Sequence, residues 1–216
     1  MQLGTLLPLG DIGGDPAIVR EYAQAAEQVG YDFVEAPDHV LGASEASAPE
    51  PGRTGAGLFH DPFVLFGYLA GCIQKLGFST GVLILPQRQT VLVAKQAACL
   101  DVLCGGRFRL GIGVGWNEVE FIGLNKNFRN RGKRSPEQVR VMQALWAEPH
   151  VRFGGEFHHI DDAGIKPRPA SGACRSGMAG TPKRLSGAVH NMATATCRSL
   201  IPRARPHSPR SPNCGH

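Results

Sequence analysis

From Ser79 to Phe121 the chain reads STGVLILPQRQTVLVAKQAACLDVLCGGRFRLGIGVGWNEVEF, an almost uninterrupted strand, helix and strand. The apolar run Phe78 to Leu85, bounded by Gly77 and Pro86, predicts a strand covered on both faces. Thr90 is placed to cap a helix with Val91, Ala94 and Ala98, and Leu92, Cys99 and Val102, at helical spacing. Gly105-Gly106 stops it, and Arg107 to Val114 forms the next strand. Two buried strands joined by a helical crossover must lie parallel in an α/β protein. Glycines and polar residues gather where these strands end, as they do when a parallel barrel builds a site at its carboxyl face.

The same pattern recurs upstream and downstream, and each further helix opens on a capping residue followed by proline. Asp15-Pro16 starts a helix with Ile18, Tyr22, Ala25, Ala26 and Val29 inward, flanked by strands at Leu3 to Pro8 and Asp32 to Ala36. Asp61-Pro62 starts a second, with Leu65, Leu69, Cys72, Ile73 and Leu76 inward. Ser135-Pro136, with Gln138 three residues after the serine, predicts a capping box for a helix reaching Trp146. Residues Leu41 to His60 make a βα loop long enough to serve as a lid. The sequence VRFGGEFHHI, Val151 to Ile160, reads as a β-hairpin. The expected fold is α/β: a partial (β/α)8 TIM barrel of about four βα units and the hairpin, with a fragment of a fifth strand. Complete barrels of this kind take about 250 residues, and this chain has 216.

Residues 1 to 162 carry 14 Lys/Arg against 18 Asp/Glu, whereas the last 54 carry nine Lys/Arg and no acid. The net charge of +5 therefore belongs to the tail. That tail has seven prolines, no aromatic residue and no sustained period, which predicts disorder. Given permitted G/C-rich codons and read two nucleotides on, Gly177 to Pro202 spell HGGHAEAVERRRAQHGDGYMPLVDP. A frameshift near Ala170 is the expectation, dividing the chain into an ordered part, 1-168, and an out-of-frame tail, 169-216. Six cysteines show no C-x-x-C pair, as in a reducing compartment. No apolar run reaches the roughly 18 residues of a membrane span, and no basic, apolar leader opens the chain. A cytoplasmic protein with no membrane partner is expected.

Three segments in order, GYDFVEAPDHVLG, TGVLILPQRQTVLVAKQAACLD and GGRFRLGIGVGWNEVEF, resemble the luciferase-like monooxygenase family, in particular its oxidoreductases that use the deazaflavin coenzyme F-420. The resemblance covers about residues 1 to 168, and the shifted reading HGGHAEAVERRRAQHGDGYMPLVDP resembles the pattern with which the family enters and continues its fifth βα unit, which is what implies the frameshift. It implies hydride transfer between reduced deazaflavin, or alternatively the flavin FMN, and a small organic substrate. It also implies that Asp38 and His39 face the coenzyme, with His39 tuning or protonating the reacting edge. Gly81 and Val82 correspond to a bulge and non-prolyl cis peptide behind the ring; Gly113, Val114, Gly115 and Trp116 flank it.

Each site has a plainer reading. Asp38 can be a local cap, and Gly81 an ordinary strand glycine. Gly111 to Gly115 is spaced G-x-G-x-G, which argues against a dinucleotide fingerprint. Asn117 and Glu118 suit the start of a helix. Arg88 can meet an anionic substrate or pair with a loop carboxylate, with pairing favoured. His158-His159 beside Asp161-Asp162 has no further ligand at metal spacing and reads as a solvated hairpin. The cluster Arg129, Arg131, Lys133 and Arg134 suits solvent better than phosphate. The alternatives to an enzyme are an inert product of a damaged gene and, more weakly, nucleic-acid binding through the scattered arginines of the tail. A homodimer closing one barrel from two halves is the assembly this reading offers.

Overall fold

The computed structural model describes residues 2–47, 57–169 and 175–178. Its strands are β1 (Gly4–Leu6), β2 (Phe33–Ala36), β3 (Gly77–Thr80), β4 (Leu83–Ile84) and β5 (Phe108–Gly113), then β6 (Val151–Gly154), β7 (His159–Ala163) and β8 (Arg175–Met178). The helices are α1 (Leu9–Ile12), α2 (Pro16–Gln28), α3 (Pro62–Ala70), α4 (Thr90–Leu103), α5 (Glu118–Gly123) and α6 (Arg131–Ala147). β1 pairs with β2, β2 with β3, β3 and β4 with β5, and β5 with β8, all parallel. Strands thus follow one another around the sheet in sequence order. A doubly wound layer would reverse that order at a switch point; this sheet is one side of a (β/α)8 barrel. β6 and β7 form a separate antiparallel hairpin.

The core lies between sheet and helices. Val34, Phe78, Phe108, Leu110 and Ile112 are buried, and Phe66 on α3 meets the Phe78 and Phe108 rings at 5.4 and 6.4 Å between centroids. Trp146 is 1% exposed and its indole N–H donates to the Ala94 carbonyl at 2.9 Å, tying α6 to α4. Asp15 and Asp61 cap their helices as their sequence context predicts, each accepting two backbone N–H groups.

Several elements differ from expectation. The apolar run Phe78 to Leu85 is not one continuous strand but breaks between β3 and β4: Phe78 stands opposite Phe108 but Leu83 opposite Ile112, so one side carries an extra residue, the β-bulge that the family resemblance implied at Gly81–Val82. On α2 the buried positions are Val19, Ala23 and Ala26, while Ile18 and Val29 are 45% and 74% exposed. Alanines on both sides of that helix left its rotation undetermined by apolar spacing. Thr90 is the first residue of α4 rather than its cap. α6 begins at Arg131, four residues before Ser135, and Glu137 and Gln138 serve tertiary contacts, so no capping box forms at Ser135. Beyond residue 168, Arg175–Met178 is not disordered tail but a strand in register with β5; the remainder of the tail after 169, and the middle of the expected lid, lie outside the described residues.

Candidate active site

At the carboxyl end of β2 the chain turns through Pro37 into Asp38 and His39, and their side chains take different tasks. Asp38 is 2% exposed. Its carboxylate accepts the Ile84 backbone N–H at 2.9 Å and both Nε and Nη2 of Arg88 at 3.2 and 2.7 Å. Arg88 Nη2 also reaches Asp61 at 2.8 Å. Burial alone would lower the Arg88 pKa, but the hydrogen bonds and charges of Asp38 and Asp61 raise it. Asp38 therefore does not present its carboxylate to a ligand; it ties the end of β2 to the backbone just beyond the bulge. Arg88 is a bidentate partner in that brace, which is the pairing its sequence context favoured.

His39 keeps part of its surface open, with an 18% exposed side chain. Its ring lies 4.8 Å from that of Phe59 and 5.7 Å from that of Trp116. Its Nδ1 is 3.3 Å from Glu120 Oε1. Glu120, 1% exposed on α5, also accepts the backbone N–H groups of Val40 and Leu41 at 2.7 and 3.3 Å and the Gln87 amide at 3.0 Å. Burial alone would raise its pKa, yet the hydrogen bonds from His39, Gln87 and Val40 win and lower it. A carboxylate so held orients the imidazole through Nδ1 and leaves Nε2 to the site.

Behind this pair, the Gly81–Val82 peptide is cis. The Gly81 N–H donates to the Ala36 carbonyl at 2.8 Å, and the Thr80 hydroxyl to the Gly111 carbonyl at 2.7 Å. Backbones approach so closely here that a Cβ on Gly111 would sit 2.1 Å from the Thr80 carbonyl oxygen. Gly113 closes β5, Val114 follows it, and Gly115 turns at φ 76°, delivering Trp116 toward His39. Thus His39, Gly81, Val82, Gly113, Val114, Gly115 and Trp116 come together at one end of the sheet, with Asp38 as their support.

Glu120 is the central residue that the sequence hid. Asn117-x-x-Glu120 has capping-box spacing, which disguises a carboxylate used for tertiary contacts; Asn117 instead donates to the Leu41 carbonyl at 3.2 Å. The hairpin histidine is also not the solvated group expected. His158 Nδ1 lies 2.8 Å from Glu137 and its Nε2 2.6 Å from the Thr90 hydroxyl. Among the described residues, no group of three His, Cys, Asp or Glu is placed to hold a metal. Of the basic cluster, Arg131 stacks on Phe128, 3.6 Å from its ring centroid, and donates to the Gly115 carbonyl at 3.2 Å.

The parallel barrel side, the bulge and cis peptide in its third strand, and the Asp38-His39 pair at its carboxyl end are the features that the family resemblance implied. The luciferase-like monooxygenase family model matches residues 1–196, and the chain belongs to that family. It is 34% identical over 156 residues to an uncharacterised protein of Mycobacterium tuberculosis, covering 68% of this chain and 54% of that protein. A pyrimidine monooxygenase of Allorhizobium ampelinum is 28% identical over 186 residues, covering 79% and 49%. An F420-dependent secondary alcohol dehydrogenase, solved with an F420-acetone adduct, superimposes with a TM-score of 0.67 at 24% identity over 83% of this chain and 52% of that one. EDTA monooxygenase of Chelativorans superimposes with a TM-score of 0.70 at 18% identity, over 85% and 50%. The chain spans about half the length of the curated relatives it matches. No helix among the described residues is long and apolar enough to cross a membrane.

Proposed function

We propose that this site serves hydride transfer between a reduced deazaflavin, coenzyme F-420, or the flavin FMN, and a small organic substrate. The observation that carries the reading is the His39–Glu120 pair beside the Gly81–Val82 bulge. The residues present suit a flat redox ring: an aromatic wall at Trp116, and an imidazole whose second nitrogen no described residue engages. The coenzyme, when bound, supplies the hydride. Glu120 fixes the imidazole through Nδ1, and His39 Nε2 donates a hydrogen bond or exchanges a proton at the reacting edge. Asp38, through Ile84 and Arg88, keeps the bulge at a set distance from that histidine and is a positioning residue. A second copy completing the ring is the assembly we associate with this reading; sedimentation as a monomer alone removes it.

Fluorescence titration of the full chain with F-420 and with FMN tests the proposal. Saturable quenching by one of them is expected, and His39→Asn should slow single-turnover substrate reduction while leaving that binding within about twofold. No response to either coenzyme overturns the reading.

A further inference from the structure

Arg131 opens α6, yet its side chain turns back to the end of β5. Its Nε donates to the Gly115 carbonyl at 3.2 Å and its Nη1 to the Phe128 carbonyl at 2.9 Å, while the guanidinium lies over the Phe128 ring. Both donors go to backbone carbonyls rather than to an acid, so the side chain is used for placement. Stacking on a ring while two donors hold fixed directions is within reach of a guanidinium and not of an ammonium.

The ring under that guanidinium is itself set. α5 ends with Asn125 at φ 53°, and the Lys126 N–H returns to the Phe121 carbonyl at 2.7 Å. The reversal brings Phe128 edge-on to Phe121, with 5.2 Å between centroids. Phe121 is fully buried and directly follows Glu120, the carboxylate that holds His39.

Gly115 is where these supports meet. A Cβ there would lie 2.6 Å from Ile84 Cγ2 and 3.1 Å from the Phe121 ring. Ile84 is the residue whose backbone N–H Asp38 fixes just beyond the bulge. The Gly115 carbonyl oxygen and the Trp116 Cα belong to one planar peptide unit, so a group that grips the first fixes the second. The indole that leaves that Cα stands 5.7 Å from the His39 ring.

We infer that Arg131 is the positioning residue of Trp116: it holds the Gly115–Trp116 peptide plane against Phe121 and Ile84, and so sets the aromatic wall relative to His39. What that wall does for a coenzyme rests on the proposed redox reading; the placement itself does not.

The chain has two tryptophans, so Trp146→Phe leaves Trp116 as the sole indole reporter in the full-length protein. In that background Arg131→Met should shift Trp116 emission to the red, lower its anisotropy and raise its acrylamide quenching constant about twofold, as the indole gains motion and water. Arg131→Lys, which keeps the charge without the fork, should restore less than half of the change. Should the Trp146→Phe background or Arg131→Met fail to fold by circular dichroism, 5-fluorotryptophan in the otherwise unaltered chain and in Arg131→Lys gives the same comparison by fluorine NMR, the Trp116 resonance being assigned with Trp116→Phe. Titration with F-420 and FMN then reads the consequence, a loss of affinity of about three- to tenfold, the size of one lost hydrogen-bonded support. A Trp116 signal unchanged in folded Arg131 variants, whatever their stability, overturns the inference and leaves the redox reading in place. A Trp116 signal that changes as stated in a protein that responds to neither coenzyme overturns the redox reading and leaves the role of Arg131 standing.

Discussion

Replacing Glu120 separates the charge of its carboxylate from its shape. The wild-type side chain accepts four hydrogen bonds, from Val40 N, Leu41 N, Gln87 Nε2 and His39 Nδ1, at 1% exposure. In Glu120→Gln the amide oxygen can keep Val40, Leu41 and His39, and the new NH2 group would then face the Gln87 amide nitrogen. Gln87 Oε1 has no partner among the described residues, so a flip of that amide turns the clash into a hydrogen bond. What is lost is the charge assistance, about 1–3 kcal/mol in all when charged and neutral hydrogen bonds are compared. Glu120→Ala instead leaves buried donors with nothing to meet, and about 3–5 kcal/mol is expected. The carboxyl is held below its ordinary pKa, so its stabilising contribution is full above the unfolded value and fades as pH falls through the folded one. Urea unfolding from neutral to acid pH reads all three. The wild-type advantage over Glu120→Gln should shrink toward zero in acid. A glutamine variant as damaged as the alanine one, or a difference that persists through the acid range, would refute the assigned hydrogen bonds.

Arg88→Met leaves Asp38 buried with, among the described residues, only the Ile84 N–H, and should cost about 3–5 kcal/mol, part of it restored by adding Asp38→Asn in a double-mutant cycle. Gly111→Ala places a methyl group 2.1 Å from the Thr80 carbonyl oxygen, where backbone must move, and a loss of about 1–3 kcal/mol or more is expected by denaturant unfolding. Wild-type stability in that variant would contradict the close approach of β3 and β5. Trp146→Phe removes the indole donor to the Ala94 carbonyl and should cost about 1–3 kcal/mol in the same assay.

The parts of this fold that were legible are those fixed by local chemistry. Asp-Pro starts at residues 15 and 61 work as caps because a short carboxylate and a preset φ need no distant partner. The Gly105-Gly106 stop is equally local, with φ of 66° and 79°. Misreadings concentrate where a side chain serves a remote segment. Glu120 reaches 80 residues back to Val40, Glu137 about 20 forward to the hairpin, and Gln138 about 50 back to α4. Each sits in or beside a pattern that mimics a helix cap, so periodicity and capping rules assign it a local role. The site shows the same division: glycines and His39 are visible as types at strand ends, while the carboxylate that orients the histidine comes from another βα unit.

β8 bears directly on the alternative reading frame. Arg175–Met178 occupies the register beside β5 that a fifth barrel strand would take, yet R-S-G-M is a poor sequence for a buried parallel strand. Read two nucleotides on from the third base of the Cys174 codon, permitted codons for Cys174 to Met178 (TGC CGG TCT GGC ATG) yield Pro-Val-Trp-His, an apolar segment that leads into HGGHAEA. The shifted frame thus places strand-forming residues where the backbone already pairs, and glycines where that strand would end, as they do in β5. Nucleotide sequence across codons 165 to 180 decides it. Codons that permit this reading and an open frame beyond it are expected; a stop, or a serine codon at position 176 that does not end in T, removes the tryptophan and with it the argument for an interrupted barrel.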